Sequence, residues 1–333
     1  VAQTIVTKCV DHNPLYRFSQ QIERDCEIKL PESTLGGWYS RGIFWLMILW
    51  NHINEKIIHS SYLQIDETTI QVIIKPKRGK TKKGYMWVYF DPISRIVLFD
   101  FHLSRNSKSL EKVLGSSFDG IVQSDCYNVY DNYCTRHNIK QSACMSHSRR
   151  NYEKAISNNK RLAHWMMDKI QLLFKIEEKA KENNLSFDER HALRQEESLP
   201  IIREMKEWCD RTIRKVIPKS SIGKALAYML NHWEKLIYFL EDGRIELSTN
   251  WIENIIRPFA LGRKNFLFAA SEEGAHRHAI AYSILSTCKL HGVNPFRYLT
   301  DVLEKLPLRK NNEIDDLLPW NWVDPHKNDN KLN

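Results

Sequence analysis

Residues 62–74 read Tyr62-Leu63-Gln64-Ile65-Asp66-Glu67-Thr68-Thr69-Ile70-Gln71-Val72-Ile73-Ile74. Apolar and β-branched residues dominate this run and mark a central strand rather than a surface loop. Asp66 is the exception inside it. An ionised carboxylate is costly to bury unless it is paired or holds a cation. A metal ligand is therefore one reading of Asp66, and an aspartate bonded to backbone amides is the other. Working outward, Tyr85 to Phe90 and Arg95 to Leu103 repeat the strand pattern, separated by a basic loop and by Asp91-Pro92, which predicts a three-stranded antiparallel meander.

Beyond the meander a short helix (Ser109 to Leu114), a strand (Gly120 to Ser124), a polar helix (Tyr127 to His137) and a short strand (Lys140 to Met145) alternate, which places parallel pairing beside the meander. Three strands, then helix, strand, helix, strand, is the order of a ribonuclease H-like core. Residues 147–242 turn almost wholly helical, with Met166, Met167, Ile170, Leu173 and Phe174, and again Leu226, Met229, Leu230, Trp233 and Leu236, at helical spacing. The predicted class is α/β: a ribonuclease H-like mixed sheet core with a large α-helical insertion and helical N- and C-terminal segments. The expected ranges are 1–58 for a helical N-terminal region, 59–147 for the first part of the core, 148–246 for the insertion, 247–270 for completion of the core, and 271–333 for a C-terminal helical region and polar tail.

Within the N-terminal region Pro14 opens one helix, Lys29-Leu30-Pro31 breaks it, and Ser33 or Thr34 is the expected N-cap of the next. A helix-turn-helix and a plain packed hairpin both fit this pattern. Further on, Ser248 or Thr249 is expected to cap a helix that Pro258 ends or kinks, and a long helix is expected from Glu273 to Leu290.

The chain has 333 residues, 42% hydrophobic and 11% aromatic, enough to bury a substantial core. Its 49 Lys and Arg outnumber 40 Asp and Glu, and the formal net charge of +9 favours a polyanionic partner. Cysteines at 9, 26, 126, 134, 144, 209 and 288 form no C-x-x-C pair, which argues against a disulfide framework or a four-cysteine zinc site and for a reducing, cytoplasmic setting. No run approaches the roughly 18 apolar residues of a membrane span, and no secretory signal is present. Val1 in place of Met suggests a fragment, or a chain without its natural beginning. Trp45, Trp50, Trp165, Trp208 and Trp233 fall in helical segments and are expected in the core.

Two further carboxylates stand out. Asp125 follows Gly120-Ile121-Val122-Gln123-Ser124, at the carboxyl end of a strand, where ligand sites of open α/β sheets collect. Capping of the helix that starts near Tyr127 is the equal alternative. Glu253 precedes Arg257 by four residues on one helical face, so a surface ion pair is its plain reading. Together the three carboxylates could converge on two metal ions for phosphoryl transfer. Magnesium, with manganese as its substitute, suits such an oxygen-only set.

The stretch Asp242-Gly243-Arg244-Ile245-Glu246 through Glu253-Asn254-Ile255-Ile256-Arg257-Pro258-Phe259-Ala260-Leu261-Gly262-Arg263-Lys264-Asn265 closely resembles the C-terminal catalytic segment of insertion-sequence 66 family transposases. Supporting matches are Asp66-Glu67-Thr68, Gln123-Ser124-Asp125, Cys144-Met145-Ser146-His147-Ser148-Arg149-Arg150, and Cys288-Lys289-Leu290-His291-Gly292-Val293-Asn294-Pro295, so the likeness runs from near residue 1 to about Trp322. The resemblance implies an Asp-Asp-Glu triad, carried onto Asp66, Asp125 and Glu253 as catalytic and metal-binding residues, and a transposase that cleaves transposon ends and joins them to target DNA. A hydrolytic ribonuclease H-like nuclease and a truncated or inactive DNA-binding remnant are the alternatives.

The same resemblance implies DNA as partner, a homo-oligomer assembled on it, accessory proteins of the same element, and a bacterial protein associated with the nucleoid when bound. Family members carry a cysteine-rich zinc-binding segment and a coiled coil ahead of this point, and this chain shows neither. They often have Gly and Trp where this chain has Cys126 and Met145. Cys144 and His147 resemble a Cys-x-x-His element; a zinc site would need two more ligands that the spacing does not supply, so a structural role is preferred. Lys75, Lys77, Arg78, Lys80, Lys82 and Lys83 in the basic loop either contact phosphate or are merely solvated. Arg257, Arg263 and Lys264, carried by the family motif, are the stronger phosphate candidates.

Overall fold

Strands buried on both faces set the architecture of the computed structural model, which describes residues 1–74 and 80–326. Helices α1 (Ala2–Cys9), α2 (Leu15–Cys26) and α3 (Glu32–Ile58) precede strands β1 (Tyr62–Ile73), β2 (Thr81–Asp91) and β3 (Ile96–His102). Then come α4 (Ser107–Leu114), β4 (Ile121–Ser124), α5 (Asn128–His137) and β5 (Gln141–Ala143). Helices α6 (Met145–Ala155), α7 (Lys160–Glu182), α8 (Phe187–Leu193), α9 (Leu199–Thr212), α10 (Ser221–Asn231) and α11 (Trp233–Ile237) follow. The described chain ends with α12 (Asn250–Phe266), β6 (Phe268–Ala269), α13 (Glu272–Leu290) and α14 (Pro295–Lys305).

The strands make one mixed sheet in the order β3-β2-β1-β4-β5, with β6 beside β1. Strand β2 runs antiparallel to β3, while β4 is parallel to β1 and to β5. This is the expected mixed α/β architecture, consistent with a ribonuclease H-like core carrying helical segments. The chain divides into two compact units, one of residues 1–60, 65–118 and 252–333, the other of residues 61–64 and 119–251.

In the first unit α3 buries Leu35, Tyr39, Ile43, Leu46, Leu49, Ile53 and Ile57, an inward stripe at three- and four-residue spacing, and packs on α13 and β3. That stripe commits the residues after Ser33 to the core. Helix α13 is buried almost continuously from Ala275 to Cys288. Its Ser283 Oγ and Thr287 Oγ1 accept the N–H groups of Phe99 (2.7 Å) and Val97 (3.2 Å). Strand β3 is an edge, and each of these buried N–H groups would otherwise go unpaired at a cost of about 1–3 kcal/mol. The helix thus closes the sheet edge with side-chain hydroxyls.

The second unit is mainly helical. Its core is filled by Met166, Ile170 and Leu173 of α7 and Leu226 and Met229 of α10, as their spacing predicts, together with Met205 and Cys209 of α9, all fully buried.

Several local expectations differ. Helix α1 and the two-residue β6 are too short for a periodic signal. Helix α3 starts at Glu32 with Pro31 as N-cap and no side-chain cap, so neither Ser33 nor Thr34 caps it; the fixed φ of proline already suits a helix start. Helix α12 continues through Pro258. The carbonyl left without a donor belongs to Asn254, which is exposed and keeps water. Of the five tryptophans expected in the core only Trp233 is buried. Trp165 and Trp208 stack on each other at 4.3 Å, half-exposed, and Trp50 donates to the Phe99 carbonyl at 3.1 Å. Among the described residues no helix is long and apolar enough to cross a membrane.

Candidate active site

Strands β1 and β4 meet in parallel with Gln64 opposite Gln123. Both glutamines are fully buried, and Gln64 Nε2 donates to Gln123 Oε1 at 2.9 Å. Buried amides are costly unless paired, and both amide nitrogens are paired: Gln123 Nε2 donates to the Glu246 carbonyl (2.6 Å), and Gln64 Nε2 also reaches the Ser248 carbonyl (3.1 Å), while Gln64 Oε1 is buried without a partner. The Tyr62 hydroxyl accepts the N–H of Glu246 at 3.1 Å and donates to Gln123. The Leu247 carbonyl accepts the N–H of Met145 (3.1 Å), and Thr249 N–H donates to Cys144 Sγ (3.2 Å). A buried polar ladder therefore pins residues 246–249, the segment that leads into α12 and Glu253.

The two aspartates each follow one of these glutamines by two residues, Gln64 before Asp66 and Gln123 before Asp125. Asp125 is half-buried, its Oδ1 accepts the N–H of Tyr127 at 3.0 Å, and its carbonyl accepts from the Tyr228 hydroxyl at 3.1 Å. The bond to Tyr127 is a turn bond ahead of α5 and not a helix cap, since Tyr127 is the N-cap residue and no side chain caps that helix. Cys126 stands at φ 65°, the left-handed region that favours glycine. Burial pushes the Cys126 thiol up to about 12.

Strand β1 is buried from Tyr62 to Ile65, and where it runs in the first unit it is half-exposed from Asp66 to Thr69. Asp66 Oδ1 accepts the N–H of Glu67 at 2.8 Å. The Glu67 carboxylate, 4% exposed, is ion-paired to Arg105. Glu253 lies half-buried in the first turn of α12, where the helix N-terminus stabilises a negative charge by about 0.3–1 kcal/mol. Farther along the same helix Arg263 Nη1 donates to Thr68 Oγ1 (2.8 Å) and Thr69 Oγ1 (3.1 Å), so this end of the guanidinium ties α12 to β1. Arg257 and Lys264 are exposed. Of the basic loop, Lys80, Lys82 and Lys83 are exposed, while Lys75, Lys77 and Arg78 lie outside the described residues.

Sequence reasoning missed the supports of the 242–249 segment. Arg194, fully buried in a π-helical turn (Arg194–Ser198), donates to the carbonyls of Phe239 (2.6 Å), Asp242 (2.9 Å) and Ile245 (2.8 Å) and to both oxygens of Glu177. Arg190 joins Glu177 to Glu246. A Cβ on Gly243 would stand 1.8 Å from the Phe187 carbonyl oxygen, which is why Asp242-Gly243-Arg244 needs its glycine. The one available signal was the recurrence of Gln two residues before each aspartate.

Cys144 and His147 form a coupled pair. Burial pushes the Cys144 thiol up, but the hydrogen bond and positive charge of His147 outweigh it, and the thiol is held below its usual range; His147 is raised in turn. The Cys144 sulfur also accepts the N–H of Thr249. Among the described residues no group of three or more His, Cys, Asp or Glu is gathered closely enough to hold a metal ion. The three candidate carboxylates offer oxygen donors alone and are half-buried, a donor chemistry suited to magnesium rather than to zinc.

A family model described as the Transposase IS66 family matches residues 1–277, and one described as the IS66 C-terminal element matches residues 283–320. Three similar proteins of Sinorhizobium fredii (strain NBRC 101917 / NGR234) are each called uncharacterized. Protein y4jD is 30% identical over 96% of this chain and 65% of its own length, y4qI is 31% identical over 97% and 62%, and y4hP is 31% identical over 93% and 59%. The chain thus spans less than two thirds of the length of these relatives. No solved structure matches it.

Proposed function

Because the chain belongs to the IS66 transposase family, we propose that it cleaves DNA at transposon ends and joins the freed 3′ ends to target DNA, with Asp66, Asp125 and Glu253 as ligands of magnesium. The observation that carries this reading is the family match, and beside it stands the Gln64–Gln123 pairing of parallel strands, since Asp66 and Asp125 each follow one of these glutamines by two residues in the sequence. The ladder from those glutamines to residues 246–249 supports the third position, since it fixes the chain just ahead of Glu253.

When bound, a pair of divalent ions would activate the attacking oxygen and take up charge on the leaving oxygen. The protein's part is positional. Asp66 and Asp125 each have one oxygen held by a backbone N–H, which limits the directions their carboxylates can take. Glu253 completes the set and accepts the proton of the attacking hydroxyl. Exposed Lys80, Lys82, Lys83, Arg257 and Lys264 neutralise phosphate and set the register of the strand. Pairing two ends calls for at least two copies of the chain on DNA.

The test is magnesium- or manganese-dependent nicking and strand transfer on labelled DNA carrying the element's ends, with Asp125→Asn alongside. Activity in the parent chain that vanishes in the variant supports the reading. DNA binding without cleavage by the parent chain would replace it with that of a DNA-binding remnant, and cleavage without joining with that of a nuclease.

A further inference from the structure

Cations stand where two helices of the second unit begin, the end at which the macrodipole already places partial positive charge. Helix α7 opens on Lys160 and Arg161, α10 carries Lys224 in its first turn, and neither helix has an acid there. All three side chains are exposed, so packing does not call for them. Their charges oppose the dipole, the reverse of the arrangement that stabilises a helix start.

The two helix starts are tied together. Asn158 Oδ1, in the turn before α7, accepts the N–H of Ile222 in the first turn of α10 at 3.3 Å. Residues 213–220, which join α9 to α10, fold back onto the same place: a Cβ on Gly223 would stand 2.3 Å from the Ile217 carbonyl oxygen. That oxygen accepts the Ser220 N–H at 3.0 Å and the Ser220 hydroxyl at 2.6 Å, which closes the turn. The closed turn adds Arg214, Lys215 and Lys219, all exposed. No Asp or Glu occurs from residue 154 to 167 or from 211 to 233. Glu153 and Asp210, just outside those stretches, are ion-paired with Arg149 and Lys206, and among the described residues none of the six cations is ion-paired. Like charges gathered in this way repel one another until an anion neutralises them.

We propose that this face of the helical insertion binds the phosphate backbone of duplex DNA without regard to sequence, as a second DNA contact besides the exposed cations of the first unit. The proposal rests on the DNA reading above. Six cations spread over two helix starts and a turn exceed what one small anion can neutralise, whereas a duplex offers one charge for about every 1.7 Å of its axis. Lysine and arginine on phosphate position a duplex but do not read its bases, so the contact serves any stretch of DNA. Because the turn is closed by its own hydrogen bonds, binding orders side chains and not backbone.

The experiment titrates two labelled duplexes, one carrying the element's ends and one of unrelated sequence, at several salt concentrations and reads anisotropy, with circular dichroism to check each fold. Lys215→Gln combined with Lys219→Gln should lower the slope of log K against log salt by about 2 on both duplexes. Lys215→Arg with Lys219→Arg keeps the charges and should keep the parental slope. Lys175→Gln with Lys310→Gln removes the same charge from exposed positions elsewhere and should also leave the slope in place. A parental slope in the first pair overturns the proposal, as does an equal fall in the Lys175 and Lys310 pair, which would reduce the effect to net charge. A fall in the arginine pair overturns the charge basis, and a fall confined to the end-bearing duplex overturns the indifference to sequence. Absence of DNA binding by the parent chain overturns the DNA reading and this proposal with it.

Discussion

Arg194→Met should remove the main support of the segment leading to Glu253. Arg194 donates to three carbonyls and to both oxygens of Glu177. Breaking a buried ion pair costs about 3–5 kcal/mol, and the low end applies because Glu177 keeps Arg190. The three orphaned carbonyls add at least about 1 kcal/mol together, more if water is excluded, giving a total of about 4–5 kcal/mol. That is a large share of the roughly 5–15 kcal/mol by which domains are stable. Arg194→Lys keeps the charge but offers fewer donors, losing at least two of the five bonds and about 2 kcal/mol. Urea unfolding followed by circular dichroism measures both. A Met variant within about 1 kcal/mol of the parent, or a Lys variant as damaged as the Met variant, would refute the reasoning.

Gly243→Ala should cost about 3 kcal/mol by thermal unfolding, because the backbone carbonyl of Phe187 occupies the space of the new methyl; an unchanged midpoint would contradict the close approach. Acid should loosen the same network. Burial pushes Glu177 up, but the hydrogen bond and charge of Arg194 win, so its folded value is depressed below the usual 4.5. The stability it contributes is therefore fully present above pH 4.5 and lost as pH falls through the folded value, and Arg194→Met should flatten that dependence. For DNA affinity, Lys264→Met should lower the slope of log K against log salt by about 1, whereas Arg263→Met, whose Nη1 is engaged on Thr68 and Thr69, should leave it nearly unchanged and instead cost about 2 kcal/mol of stability.

The sheet and the helical insertion were legible because they rest on long patterns: the apolar run of Tyr62 to Ile74 and the three- and four-residue spacing of α7 and α10 survive any local ambiguity. The supports of the candidate site were not. Arg194 reads as an ordinary helical arginine in sequence, and only the fold brings its donors to carbonyls some fifty residues away. Pro258 misled because its cost depends on whether the freed carbonyl meets water, which the sequence does not state. Asp66, Asp125 and Glu253 were nameable through the family motif, while Gln64 and Gln123 became informative only once their register was known.

The account's central claim is that Asp66, Asp125 and Glu253 act as one metal-holding set. Its most direct measurement is magnesium-dependent nicking of end-bearing DNA by Asp66→Asn, Asp125→Asn and Glu253→Gln, with Asp131→Asn as the control, since Asp131 is occupied by Lys235 at 2.7 Å. Each of the three should lose about a thousandfold or more in rate while binding DNA normally, and the control should retain activity. Near-parental nicking by any one of the three, or equal loss in the control, would contradict it.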